Sequence, residues 1–288
     1  MIDADKARAW RSGDIRHSYG TRDTILYALG VGAGADPLDA RHLRLTWEKD
    51  LQALPTMAAV LASPGAWMRD RTELGIDFLR LVHGEQAVTL HAPLPVAGTV
   101  IGRSRVTRLV DKGEGKGAVM HVEKELTDET SGQLLATTEH VFFLRGDGGF
   151  SHGGGGDAPA PAAPSVPDAP PDLQLDLPTR ADAALLYRLS GDLNPLHVDP
   201  AVAARAGFDR PILHGLATYG MAARGLVQLC ANGDADRLTA VRARLSSPVF
   251  PGETLRLEAW RLADGDTAFR ARVLERDVVV LSHGRARV

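Results

Sequence analysis

Residues Tyr187-Arg-Leu-Ser-Gly-Asp192-Leu-Asn194-Pro195-Leu-His197-Val-Asp-Pro-Ala201 hold a carboxylate and an imidazole five positions apart, with glycine and proline around them. Pro195 fixes one backbone angle between the two, so both proton-transfer groups can face one small volume. Turn chemistry alone accounts for Gly191, Asn194 and Pro195, because Asp and Asn side chains bond nearby amides and Gly and Pro supply the special angles. It gives no reason for His197, nor for the downstream segment Pro211-Ile-Leu-His214-Gly215-Leu-Ala-Thr-Tyr-Gly220. The loop reads as an active-site segment, and its surroundings set the fold.

Upstream, between about 146 and 172, the sequence narrows to Gly, then to Ala and Pro repeats. Such a segment has little to bury and is expected to be a flexible, partly extended linker. It separates an N-terminal domain, 1–145, from a C-terminal domain, 173–288. The two resemble each other. Tyr27-Ala-Leu-Gly-Val-Gly32 matches Tyr187 to Asp192, Asp36-Pro-Leu-Asp39 matches Asn194 to His197, and Ala97-Gly-Thr-Val100 matches Gly252-Glu-Thr-Leu255. An ordered set of matches at a nearly constant offset implies internal duplication. Gly32 then stands opposite Asp192, and Asp39 opposite His197, so the first copy lacks both proton-transfer groups. One catalytic centre per chain is expected.

Residues 211–231 place apolar side chains at helical spacing (Ile212, Leu213, Leu216, Tyr219, Met221, Leu226, Val227, Leu229), enough to bury most of a long helix. Alternating segments follow at 238–245, 253–260, 267–273 and 278–288, the pattern of an antiparallel sheet with one covered face. In the first half, 54–68 is the equivalent helix, ended near Ser63-Pro64-Gly65, and 75–145 supplies the strands. The class is α+β.

The 288 residues are 44% hydrophobic and 24% charged, with a formal net charge of -3. That composition suits well-filled cores and gives no reason to expect nucleic acid. The single cysteine, Cys230, can form no internal disulfide and lies in an apolar helical run. No apolar run approaches the ~20 residues that span a bilayer, the N-terminus lacks a signal-peptide core, and the C-terminus does not read Ser-Lys-Leu. These features lead to the expectation of a cytoplasmic protein, away from membranes. No metal spacing and no phosphate loop is recognisable, so no cofactor is expected.

The string Tyr-x-Leu-Ser-Gly-Asp-x-Asn-Pro-Leu-His, followed by Ile-Leu-His-Gly-Leu-x-Thr-Tyr-Gly, resembles the signature of the MaoC-like (R)-specific enoyl-CoA hydratases, hydratase 2. The rest of the chain is similar to the hydratase-2 domain of peroxisomal multifunctional β-oxidation enzymes, at Arg22–Gly32, Leu54-Pro-Thr56, His83-Gly-Glu-Gln86, Pro93-Leu-Pro95, Asp111-Lys-Gly113 and Phe143–Phe150. The resemblance implies a double hot-dog fold, in which each domain is a long helix wrapped by a curved antiparallel sheet, and a homodimer. It implies reversible syn hydration of trans-2-enoyl-CoA to the (3R)-3-hydroxyacyl-CoA, with CoA entering as part of the substrate. Asp192 and His197 would grip one water between them, while Asn194 orients the loop or the water, or only stabilises the turn. Gly215, a bare backbone amide at a helix start, would hold the thioester oxygen. His214 would anchor that helix start or touch the ligand. His83, Gly84, Lys112 and Leu245, with Leu193, Pro195 and Leu196 of the loop, would line the substrate path. A dehydratase or thioesterase acting on another acyl-CoA, branched or carrying a steroid side chain, and a non-catalytic acyl-CoA-binding protein are the alternatives.

Overall fold

A computed structural model describes residues 2–36, 38–152 and 156–288. The expected match of 36–39 to 194–197, at position 37, and the glycine-rich centre of the linker, at 153–155, fall partly outside these residues. The strands are β1 (Ile15–Tyr19), β2 (Leu81–Leu90), β3 (Gly98–Asp111), β4 (Ala118–Asp128), β5 (Leu134–Leu144), β6 (Leu173–Pro178), β7 (Ala240–Leu245), β8 (Thr254–Arg261), β9 (Thr267–Val273) and β10 (Val278–Arg287). They form one antiparallel sheet in the order β1-β3-β4-β5-β2-β7-β10-β9-β8-β6. That order reads the same from either end once five is added to each N-terminal strand number. The duplication inferred from weak sequence matches is therefore written into the sheet, and the fold is an α+β double hot dog.

The halves join where β2 pairs with β7, in the register Glu85↔Arg244 to Thr89↔Ala240. Glu85 bonds both Arg242 and Arg244 across this seam, at 3.3 and 2.9 Å. Around the sheet stand α1 (Ala4–Ala9), α2 (Thr21–Gly30), α3 (Ala40–Thr46), α4 (Trp67–Asp70), α5 (Ala183–Tyr187), α6 (Pro200–Arg205) and α7 (Gly215–Cys230). Every residue of α7 from 217 to 227 is buried, as expected of a helix apolar on all sides. Small residues permit the close packing: a Cβ on Gly220 would stand 2.6 Å from a Val31 methyl. Within α7, buried Arg224 donates from Nε to the Val31 carbonyl (2.9 Å), tying the central helix of one half to the other half.

The segment expected to mirror α7 does not form a comparable helix. Residues 54–68 make a 3-10 turn, Pro55–Ala59, and α4 begins only at Trp67. In place of further helical turns, buried Lys124 of β4 donates from Nζ to the carbonyls of Ala59 and Leu61. The alignment around Asp39 also shifts. Asp39 caps α3 by accepting from the Arg41 amide, the role that Asp199 plays at the start of α6 by accepting from the Ala201 amide. Asp39 is thus the counterpart of Asp199 rather than of His197. The offset of 160 is the one that relates Tyr27 to Tyr187, whose rings meet at 6.1 Å. Described parts of 146–172 are fastened to both halves: Asp157 accepts from the Leu109 amide at 2.6 Å, and the Ala169 carbonyl accepts from the Trp260 indole at 2.8 Å.

Candidate functional site

The loop between α5 and α6 is shaped by its own sequence. Gly191 has φ +115°, a conformation closed to most side chains, and it turns the chain out of the helical segment. Asp192 then accepts from the Asn194 amide (3.1 Å), and Asn194 accepts from the Leu196 amide (3.1 Å), capping a 3-10 turn that Pro195 begins. Asn194 is exposed and its side chain bonds to the loop itself, an arrangement that organises the turn. The result carries His197 inward while Asp192 stays half-buried at the rim.

His197, 8% exposed, bonds from Nδ1 to the Ile212 carbonyl at 2.8 Å. A carbonyl only accepts, so Nδ1 carries the proton and Nε2 keeps a free lone pair. Burial pushes the imidazole below its ordinary pKa, while the Ile212 carbonyl and the charge of Asp192 oppose that shift. His214, at the entrance to α7, stacks on His197 with ring centroids 3.7 Å apart. Its Nε2 donates to the Asp192 carbonyl at 3.1 Å. Burial, reinforced by the neighbouring His197, lowers it to about 4. One donor atom from each of Asp192, His197 and His214 lies within 4.8 Å of the others. His214 is the member whose place sequence reasoning undervalued, although the His-Gly pair before an apolar helical run marked it.

Gly215 is the first residue of α7, where backbone N–H groups have no intrahelical partner. A Cβ here would lie 2.9 Å from the Leu245 side chain, so the bare backbone brings Leu245 against the helix start. His83 reaches the same region from β2, at the bulge where the register with β5 shifts between His83 and Glu85 and which contains Gly84. Its ring packs 5.4 Å from His140 and 5.1 Å from Phe142. Burial pulls His83 down to about 4, and Asp192 is near enough for its charge to oppose that shift. Leu193 is 62% exposed, Pro195 is exposed and Leu196 is half-buried, all on the rim.

Lys112 is not drawn into this cluster. It is exposed on the turn between β3 and β4, where its amide donates to the Gly117 carbonyl. Asp111 beside it is partly desolvated, yet bonds from Ser151 and from the amides of Gly149 and Gly113 hold its carboxyl well below the usual range. Asp111 thereby fixes the turn that presents Lys112.

A cavity of about 140 Å³ opens beside Leu189, Ser190 and Gly191, immediately before Asp192. Its far walls are His17, Tyr19, Tyr27, Met57, Val60 and Leu61 of the N-terminal half. A wider cleft of about 430 Å³, between Arg210, Phe250 and Arg276, contains none of the histidines. Among the described residues no helix is long and apolar enough to cross a membrane.

Two family models cover the chain in succession: the MFE-2 hydratase 2 N-terminal domain matches residues 17–146, and the MaoC like domain matches 162–282. A 3-hydroxyacyl-thioester dehydratase Y of Mycobacterium tuberculosis is 46% identical over 258 residues, covering 89% of this chain and 87% of the relative. The peroxisomal enoyl-CoA hydratase 2 of Arabidopsis thaliana is 36% identical over 294 residues, with 98% and 94% covered. The peroxisomal multifunctional enzyme type 2 of mouse is 38% identical over 272 residues, which are 92% of this chain and 36% of that longer protein. The crystal structure of a MaoC-like dehydratase from Phytophthora capsici superposes with a TM-score of 0.85 at 32% identity, covering 99% and 98% of the two chains. The expectation of a cytoplasmic protein is overturned by these relatives, several of which are peroxisomal by name. The lack of a signal-peptide core and of a Ser-Lys-Leu ending was too narrow a basis for it, because short receptor-read addresses take more forms than these two. With both halves matched and identity sustained along almost its whole length, the chain belongs to the MaoC-like hydratase-2 family.

Proposed function

We propose that this protein catalyses the reversible (R)-specific syn addition of water to a trans-2-enoyl-CoA, giving the (3R)-3-hydroxyacyl-CoA. The observation that carries the reading is the free Nε2 of a desolvated, neutral His197 beside the carboxylate of Asp192. Water sits between the two groups. As its oxygen bonds to C3, one O–H bond breaks and the proton passes to His197 Nε2, while Asp192 holds the second hydrogen. The C2=C3 π electrons move toward the thioester oxygen, where the amide of Gly215 stabilises the developing enolate. His197 then returns its proton to C2, so hydroxyl and hydrogen arrive on the same face and the imidazole is restored.

The acyl chain enters the cavity beside Gly191, which supports a substrate longer than a short-chain enoyl group. Leu193, Pro195, Leu196, Leu245, His83 and Gly84 flank the reacting end. Lys112, on its rigid turn, pairs with a CoA phosphate.

The test follows loss of the conjugated enoyl-thioester absorbance with short, medium and long trans-2-enoyl-CoAs, with chiral analysis of the product. Wild type should give the (R)-alcohol, and Asp192→Asn and His197→Ala should each lower kcat about 10²- to 10⁴-fold. Unchanged turnover in both variants, or release of free thiol in place of hydration, would sink the proposal.

A further inference from the structure

Met57, Val60 and Leu61 wall the far side of the cavity beside Gly191, in a stretch that leaves the 3-10 turn Pro55–Ala59 as irregular turns. The last carbonyls of such a turn have no helical partner, so another part of the chain must satisfy them. Strands of the N-terminal half do this from three directions. From β4, Lys124 Nζ donates to the carbonyls of Ala59 and Leu61, on either side of Val60. From β1, His17 accepts the Ala62 amide at Nδ1 (3.2 Å), and the same ring lines the cavity. From β3, Gly102 lies so close that a Cβ on it would stand 2.6 Å from the Ala62 carbonyl oxygen. Ala62 has φ +47°, a left-handed conformation that a residue with a side chain keeps only where its surroundings impose it.

We propose that Lys124 is a positioning residue for substrate selectivity: by clamping residues 59–61 it fixes the wall against which a long acyl chain packs. Its side chain is 2% exposed and is not among those that wall the cavity, so it acts through Val60 and Leu61. A buried ammonium is costly, and burial pushes Lys124 down to about 7. A hydrocarbon side chain would fill the same space without that cost. What it could not supply is a pair of donors for two carbonyls. An ammonium carries three donors and a neutral amine two, so the clamp closes in either protonation state. His17 complements it, because burial and the nearby Lys124 favour the neutral ring that can accept the Ala62 amide.

This role rests on the reading that the acyl chain of the substrate enters the cavity. Selectivity is the ratio of kcat/KM for trans-2-dodecenoyl-CoA to that for trans-2-butenoyl-CoA, a quantity independent of how much of a variant is folded. Lys124→Met, which keeps the length and removes both donors, should lower the ratio about tenfold, the worth of roughly two methylene groups no longer packed, through KM for the long substrate. His17→Leu, which removes the acceptor for the Ala62 amide, should lower it too, and His17→Asn, which keeps an acceptor, should restore much of it. The two positions keep the test informative if one variant fails to fold. Binding of butanoyl-CoA and dodecanoyl-CoA, saturated thioesters that cannot be hydrated, would be followed in parallel by titration calorimetry. Tighter binding of the longer thioester by wild type, lost in Lys124→Met, would support the clamp even if no enoyl-CoA were turned over, and the hydratase reading alone would then fall. No preference for the longer thioester in wild type, or a preference unchanged in both Lys124→Met and His17→Leu, would overturn the proposal.

Discussion

At the scale of single residues, one backbone carbonyl decides what His197 can do. The bond to Ile212 fixes the tautomer, and burial keeps the ring neutral at physiological pH. The acid limb of kcat/KM should therefore lie below the ordinary histidine value of about 6.5, because the base is lost only when His197 takes up a proton. A pH profile whose acid limb sat above that value would contradict the assignment. Lys112 gives a different signature. Lys112→Ala should raise KM for CoA thioesters several-fold with kcat nearly unchanged, an effect that shrinks for a substrate truncated before its phosphates. Asp192, Asn194 and His197 were legible as candidates because turn chemistry and proton-transfer groups coincide in one short stretch, and Gly215 because a bare amide at a helix start matches the glycine of the family's motif. His214 was not, since its meaning depends on stacking against a ring 17 residues away in sequence and 3.7 Å away in space.

At the scale of elements, α7 was readable in the sequence and its N-terminal counterpart was not. Helical spacing identifies a buried helix, but the early end of the 3-10 turn at 55–59 depends on Lys124 reaching from β4 to two of its carbonyls. That contact is long-range and leaves no local pattern. The packing of α7 itself is open to test at Gly220, where an added methyl would stand 2.6 Å from Val31 and 3.0 Å from the Tyr27 hydroxyl. Gly220→Ala should cost about 1–3 kcal/mol of unfolding free energy through overpacking, even though alanine is the better helix former. Urea unfolding measures it, and an unchanged midpoint would mean that the halves are free to separate slightly.

For the whole molecule, burial of histidine within the core makes stability depend on pH. His83 and His214 are both lowered to about 4, and His17, His42 and His197 are lowered too, each chiefly by desolvation. The unfolded chain would bind these protons near pH 6.5, whereas the native state refuses them. Stability is therefore intact above about 6.5 and falls as pH drops toward about 4, with the unfolded state holding more protons throughout. Denaturant midpoints at several pH values should show this decline, and a flat profile across the interval would refute it. Lys124, lowered to about 7 by burial, acts at the other end: stability should rise with pH between about 7 and 10.5, and Lys124→Met should flatten that rise.

The amino-acid sequence by itself determined the α+β class, the two comparable halves and the long central helix, and it marked the Asp192–His197 loop as the candidate site. Each of these is a local pattern: a periodicity, a turn, a linker composition or an ordered set of matches. Tertiary structure alone decided the joining of both halves into one sheet through β2 and β7, the shared capping role of Asp39 and Asp199, and the cavity between the Leu189–Gly191 segment and the N-terminal half. It also decided that His214 completes the cluster with Asp192 and His197. These features arise where segments far apart in the chain meet, and spacing along the chain carries no record of such encounters.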